Sequence, residues 1–131
     1  MKTTIKLKNI VRLNDELHNF VNESIDLDLK FQVNRLMKIV SPLADEYIET
    51  VNSTIKKLGE LTEDGVQYTI KDTIKKNGKD IINPAMIEFG RQKKLLDETE
   101  HEIEHFSFRY KHIKGLKTDK NYPTFEAFFK E

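Results

Sequence analysis

The chain has 131 residues, 34% charged and 37% hydrophobic, with 22 lysines and arginines set against 22 aspartates and glutamates. That length suggests one domain with a modest core, because a chain of this size buries roughly two-thirds of the surface it exposes when unfolded. Zero formal charge argues against a general nucleic-acid binder, which carries a basic excess, and the lack of cysteine excludes disulfides and thiolate metal sites. Met1 to Ile10 lacks the apolar run of a signal peptide, and no stretch approaches the roughly 18 apolar residues of a membrane span. A cytoplasmic location is the expectation.

Thr3 to Lys8 alternates, with Ile5 and Leu7 on one side, and reads as a half-buried strand. Asn9 is placed to cap a helix carrying Ile10, Leu13, Leu17, Phe20 and Val21, ending near Asn22. After a polar turn, a long helix begins near Asp28 or Leu29. Its dominant feature is a stripe: Met37, Val40, Ala44, Tyr47, Val51, Thr54, Leu58 and Leu61 follow at alternating steps of three and four. This seven-residue repeat is the seam of a coiled coil or a long helical hairpin, and it needs a partner. Pro42 falls inside it. Either the helix kinks there, or it breaks with Ser41 as N-cap of a second helix; the unbroken phase of the stripe favours the kink. Gly59 weakens the last turn, and Glu63-Asp64-Gly65 ends it.

Val66, Tyr68 and Ile70 then alternate with polar residues, and Asn77-Gly78 is the favoured pair for a type I′ turn. This predicts a β-hairpin with Lys79 to Ile82 as its return strand. A short helix over 69–76 is the competing reading, since Ile70 and Ile74 are four apart. Asn83-Pro84 starts a second helix, whose Met86, Phe89, Leu96 and Ile103 can pack antiparallel on the first seam. From His105 the period changes to two, with Phe106, Phe108 and Tyr110 on one side. A strand there is expected to pair with Thr3 to Lys8. Residues 122–131 form a tail carrying Phe125, Phe128 and Phe129. The expected fold is α+β, mainly α: a long antiparallel helical hairpin, a β-hairpin between the helices, and short terminal strands pairing at one end. The hairpin domain is assigned to 1–121 and the aromatic tail to 122–131.

Only one motif carries catalytic chemistry. His101-Glu102-Ile103-Glu104-His105 matches H-E-x-x-H, which on a helix sets two imidazoles one turn apart to ligate one zinc ion, with the glutamate as general base. Against it, Glu104 puts a charge where zinc peptidases bury their helix. The extended motif needs glycine at position 108 and histidine at position 111, where this chain has Phe108 and Lys111. His112 is one residue late. A third-ligand glutamate about twenty residues past His105 would fall on Phe125, beside Glu126. A strand would also hold His101 and His105 too far apart to chelate together. A charged, solvated helix end is the plainer reading, and no metal or other cofactor is assigned.

An acidic run, Asp97, Glu98, Glu100, Glu102 and Glu104, precedes a basic one, Arg109, Lys111, Lys114, Lys117 and Lys120. It reads either as a charge-complementary docking site, centred on Glu98 and Glu100, or as a solvated surface whose blocks neutralise each other. Lys71, Lys75, Lys76 and Lys79 near the hairpin tip could touch nucleic acid, but exposed strand lysines more often block edge-to-edge pairing. Burying one Phe is worth roughly 1.5–3 kcal/mol, so Phe125, Phe128 and Phe129 either fold back onto the domain or insert into a partner.

Ile5-Lys6-Leu7-Lys8-Asn9-Ile10 with Leu13-Asn14, the helix ending at Gly59-Glu60 and Glu63-Asp64-Gly65, and the helix through Leu95-Leu96 that passes into a strand resemble short proteins of tailed bacteriophages without an assigned activity. The likeness covers the first 65 residues and, more loosely, 85–110. It implies a phage origin, a place in the host cytoplasm or the virion, and a partner-binding role, and it brings no catalytic residues. The helix–hairpin–helix order is also similar in layout to prefoldin-type chaperone subunits. The expected function is non-enzymatic: a phage-encoded protein–protein interaction module, either a virion or assembly component or an inhibitor of a host protein, open to self-association through its seam. A small zinc-dependent hydrolase using His101, Glu102 and His105 is the alternative.

Overall fold

A computed structural model describes residues 1–23, 26–109 and 122–130. The chain enters as strand β1 (Lys2–Lys6), and one 3-10 turn (Leu7–Asn9) leads into helix α1 (Ile10–Phe20). Asn9 stands at the predicted N-cap but its side chain makes no capping bond, because the 3-10 turn already delivers the chain in helical geometry. Ile10, Leu13, Leu17 and Phe20 form the buried face of α1 at the predicted spacing.

Helix α2 (Leu27–Leu58) is a single helix of 32 residues, with no break at Pro42. Pro42 removes one backbone donor, and the exposed setting of Lys38 and Pro42 lets water take the freed carbonyl. Ser41 does not cap a second helix; its hydroxyl donates to Asn14 Oδ1 at 2.6 Å and ties α2 to α1. The buried stripe keeps phase through this point and starts earlier than expected, at Leu29, Val33 and Leu36, before Val40 and Ala44. Beyond Ala44 the seam is only half-covered, and Leu61 leaves the helix for a strand.

The distal end carries two small hairpins rather than one. Strand β2 (Glu60–Leu61) pairs antiparallel with β3 (Tyr68–Thr69), and β4 (Thr73–Lys76) with β5 (Lys79–Ile82). Asn77 (φ 54°) and Gly78 (φ 78°) form the predicted left-handed turn. The partner of Lys79 to Ile82 is Thr73–Lys76, not the alternating Val66–Ile70 segment, and 69–76 is not a helix. A two-residue turn fixes its own flanking pairs, so Asn-Gly claims the four residues before it and leaves Tyr68–Thr69 to close on β2.

Helix α3 (Pro84–Glu98) runs back along α2. Asn83 Oδ1 accepts from the Ala85 amide at 3.0 Å as its N-cap, with Pro84 in the first turn. The helix ends at Glu98, earlier than the stripe through Ile103 suggested. Strand β6 (Glu100–Glu104) follows and pairs antiparallel with β1, Thr3 opposite Ile103 and Ile5 opposite His101. The terminal pairing is therefore as expected, but it uses 100–104 rather than the segment after His105. Strand β7 (Phe108–Arg109) instead pairs in parallel with β8 (Phe129–Lys130), and Tyr110 lies outside the described residues.

A short helix, α4 (Pro123–Glu126), brings the tail into the core. Phe125 and Phe128 are fully buried, as are Phe20 and Phe108. Phe125 packs edge-to-face against Phe20 and Phe108, with centroids 5.1 and 5.3 Å apart, and lies 4.8 Å from Phe129. The carboxylate of the buried Glu16 accepts from the Thr124 and Phe125 amides at 2.9 and 3.1 Å, anchoring α4 to α1. Tyr122, Phe125, Phe128 and Phe129 belong to the same hydrophobic core as α1 and the first half of α2. All of that core comes from residues 5–44 and 103–129. From 45 to 102 no described residue is buried. The protein is a cored base with a long two-helix arm.

Candidate partner-binding surface

The base end of the arm is held by polar contacts. Tyr47 donates its hydroxyl to Asp97 Oδ1 at 2.5 Å, and Lys93 reaches Asp97 Oδ2 at 2.7 Å. Burial pushes Asp97 up, but the Lys93 ammonium and the Tyr47 hydroxyl outweigh it and hold the carboxyl below its ordinary value. Burial, and next the bond to Asp97, pushes the Tyr47 hydroxyl up. Glu98 receives Lys6 at 2.6 Å and Lys8 at 3.4 Å, and the Leu7 amide donates to Thr99 O at 3.0 Å. These bonds lock the C-terminal turn of α3 to α2 and to the start of the chain.

The distal end is fixed by backbone geometry. Gly59 follows the last turn of α2, where the β2–β3 hairpin folds back on the helix. A Cβ there would collide with the Thr69 carbonyl and lie 2.7 Å from Ile55 O, so the backbones approach too closely for any side chain. In the turn after β2, the Asp64 carboxylate accepts from the Thr62 hydroxyl and from the Val66 amide, and these two bonds, in that order, lower its pKa. Asn83 joins the second hairpin to α3: its amide donates to Asp72 O at 2.9 Å and its side-chain Nδ2 to Lys71 O at 2.8 Å, while its Oδ1 caps the helix.

This scaffold presents apolar side chains to solvent. Val66 is 74% exposed and Ile82 65%, and Leu61, Tyr68, Ile81 and Ile87 are exposed around them in chain order. Isolated exposed apolar residues are ordinary; here two hairpins and the helix turn after them carry six, in a stretch with no buried residue from 45 to 102. The lysines at the tip are exposed, and among them Lys71 reaches Glu60 at 3.9 Å.

The residues singled out from the sequence lie elsewhere. Phe125, Phe128 and Phe129 are in the core and offer no free docking face in this fold; they are the fold-back alternative. Glu98 and Glu100 are exposed at the base, and Glu98 is engaged by Lys6 and Lys8. The basic run is outside the described residues from Lys111 to Lys120, as is His112. His101 to Glu104 lie on β6 rather than a helix, with His105 directly after it, so four residues of extended chain set His101 and His105 about 13 Å apart. His101 is exposed. His105 is engaged: its Nδ1 donates to the Phe106 carbonyl at 2.6 Å, and its Nε2 shares a hydrogen bond with the Thr3 hydroxyl at 2.7 Å. No group of three metal-ligating side chains occurs among the described residues. What β1 selected was a strand partner, and the five-residue motif supplied Ile103 to the core. In the sequence Ile81-Ile82 reads as an ordinary strand pair, and only the tertiary structure shows that both are exposed.

No helix among the described residues is long and apolar enough to cross a membrane. No family model, curated protein or solved structure matches the chain.

Proposed function

We propose that this protein is a non-enzymatic protein–protein interaction module that takes its partner on the distal tip, through Val66, Ile81, Ile82 and Ile87. One observation carries the reading. Residues 45–102 contain no buried side chain, yet they are held in a defined arm by Gly59, Asn83 and the Tyr47–Asp97–Lys93 bonds. An arm whose own seam is only half-covered leaves apolar surface for a partner to bury. The likeness of the opening segment and the helix ends to short tailed-phage proteins supports a partner from the virion or from the infected host. A virion or assembly role and inhibition of a host protein are the two forms this takes.

The test is isolation of the tagged protein from its native cells, infected ones under the phage reading, with mass spectrometry of what co-purifies. Capsid or tail proteins at near-stoichiometric yield make it a virion or assembly component; a host nuclease or defence protein makes it an inhibitor. The partner should be lost with Val66→Lys or Ile82→Lys while the thermal melt of the variant stays that of the parent. A partner retained by both variants refutes the tip as its binding surface.

A further inference from the structure

The solvent side of α2 within the arm has its own pattern, distinct from the tip and from the seam. Asp45, Ile48, Glu49, Asn52, Ser53 and Lys56 line one shallow depression along this helix. Ile48 is 43% exposed. Asp45, Ile48, Asn52 and Ile55 follow at steps of three, four and three, a second heptad stripe beside the one that faces α3. Asp45 and Glu49 have no ion-pair partner among the described residues. Lys56 sits with its Nζ 5.7 Å from the centroid of the Tyr68 ring and is otherwise exposed.

The order of charges on this face is acid first and base last, and that order is self-complementary in one orientation only. A two-fold axis between Val51 and Asn52, with the helices antiparallel, sets Ile48 against Ile55 of the second copy. Lys56 of the second copy then falls level with position 47, midway between Asp45 and Glu49, about 3 Å along the axis from each. Lysine spans that offset easily. Asn52 lies at the axis, where a polar residue in a heptad seam fixes register. Parallel pairing would instead stack Asp45 on Asp45, Glu49 on Glu49 and Lys56 on Lys56. Exposed ion pairs add little affinity, so the charges choose the orientation while the isoleucines supply the apolar contact.

We infer that the outer face of α2 around Asn52 binds a second copy of this chain in antiparallel register, through Ile48, Ile55 and the Asp45/Glu49 to Lys56 pairs. The two arms then form an antiparallel four-helix assembly through residues other than Val66, Ile81, Ile82 and Ile87, so this surface goes beyond the partner-binding reading and does not depend on it.

Sedimentation equilibrium on the full chain from about 1 μM to about 500 μM tests this. The parent should show a reversible monomer–dimer equilibrium. Lys56→Glu and Glu49→Lys should each weaken it at least about tenfold, and an equimolar mixture of the two variants should recover a mixed dimer, since each restores what the other lost. The chain has no cysteine, so Asn52→Cys should cross-link across the axis on oxidation while Glu46→Cys, on another face, should not. Ile82→Lys should leave the dimer intact. A monomer at every concentration overturns the inference. So does a dimer indifferent to both charge variants, one lost with Ile82→Lys, or cross-linking at position 46 as readily as at 52.

Discussion

Replacing Phe125 by alanine tests whether the C-terminal tail is part of the core. The ring is fully buried and meets Phe20, Phe108 and Phe129 with centroids between 4.8 and 5.3 Å. Truncating a buried Phe costs about 3–5 kcal/mol, through lost transfer energy and the cavity left behind. Edge-to-face contacts add about 0.5–1.5 kcal/mol beyond area, which places Phe125→Ala near 4 kcal/mol. For a chain of 131 residues, unfolding entropy near 2.1 cal/mol/K per residue converts this to a fall in Tm of about 15 °C. Urea denaturation followed by far-ultraviolet circular dichroism measures it: the midpoint should drop with the slope unchanged, as for loss of stability in one cooperative unit. Ile82→Ala at the exposed tip, as the control, should stay within about 0.5 kcal/mol of the parent. Removal of residues 122–131 should cost more than Phe125→Ala, because it uncovers Phe20 and Phe108 as well. A loss below about 1 kcal/mol for Phe125→Ala would refute the placement of the tail in the core and return its phenylalanines to the role of a docking element.

Three further outcomes follow from particular contacts. Gly59→Ala forces a Cβ into the Thr69 and Ile55 carbonyls and should cost about 1–3 kcal/mol. The cost should fall locally, with hydrogen exchange rising at Thr62 and Thr69 but not in α1; unchanged protection in β2–β3 would sink the close-approach argument. Glu16→Ala removes the acceptor for the Thr124 and Phe125 amides and should destabilise by about 1–3 kcal/mol in urea melts, whereas Glu16→Gln keeps an acceptor oxygen and should lose less. The Asp97 contacts make stability depend on pH at both ends. Asp97 lies below its ordinary 3.8, so its contribution is present above that value and is lost as pH falls through the depressed one. Lys93, lifted above 10.5 by its bond to Asp97, and Tyr47, lifted above 10.0, contribute fully below those values and lose it as pH rises through the raised ones. Tyr47→Phe should therefore cost about 1 kcal/mol at neutral pH and shrink both slopes in urea midpoints; profiles that fall in parallel with the parent would contradict this.

Local pattern determined much of this protein. The part of the α2 stripe through Val40 and Ala44, the face of α1, the Asn77-Gly78 turn and the Asn83-Pro84 helix start are all near-neighbour effects, set by helical period, left-handed φ and capping. They yield two long helices with a β-hairpin between them and strands at the ends before any long-range contact is known. The tertiary structure decided what near neighbours leave open. His101 to His105 has helical neighbours and a motif that asks for a helix, yet β1 offers a free edge and Ile103 a place in the core, so the segment is a strand. Val66–Ile70 has the alternation of a hairpin strand but loses its expected partner to a turn that claims the nearer residues. Phe125, Phe128 and Phe129 have the same composition whether they dock outward or inward; only the space between Phe20 and Phe108, and the Glu16 carboxylate that receives the tail's amides, draws them in. The exposure of Val66, Ile81, Ile82 and Ile87 is likewise a property of the whole molecule, because a strand's sequence does not say whether anything will cover it.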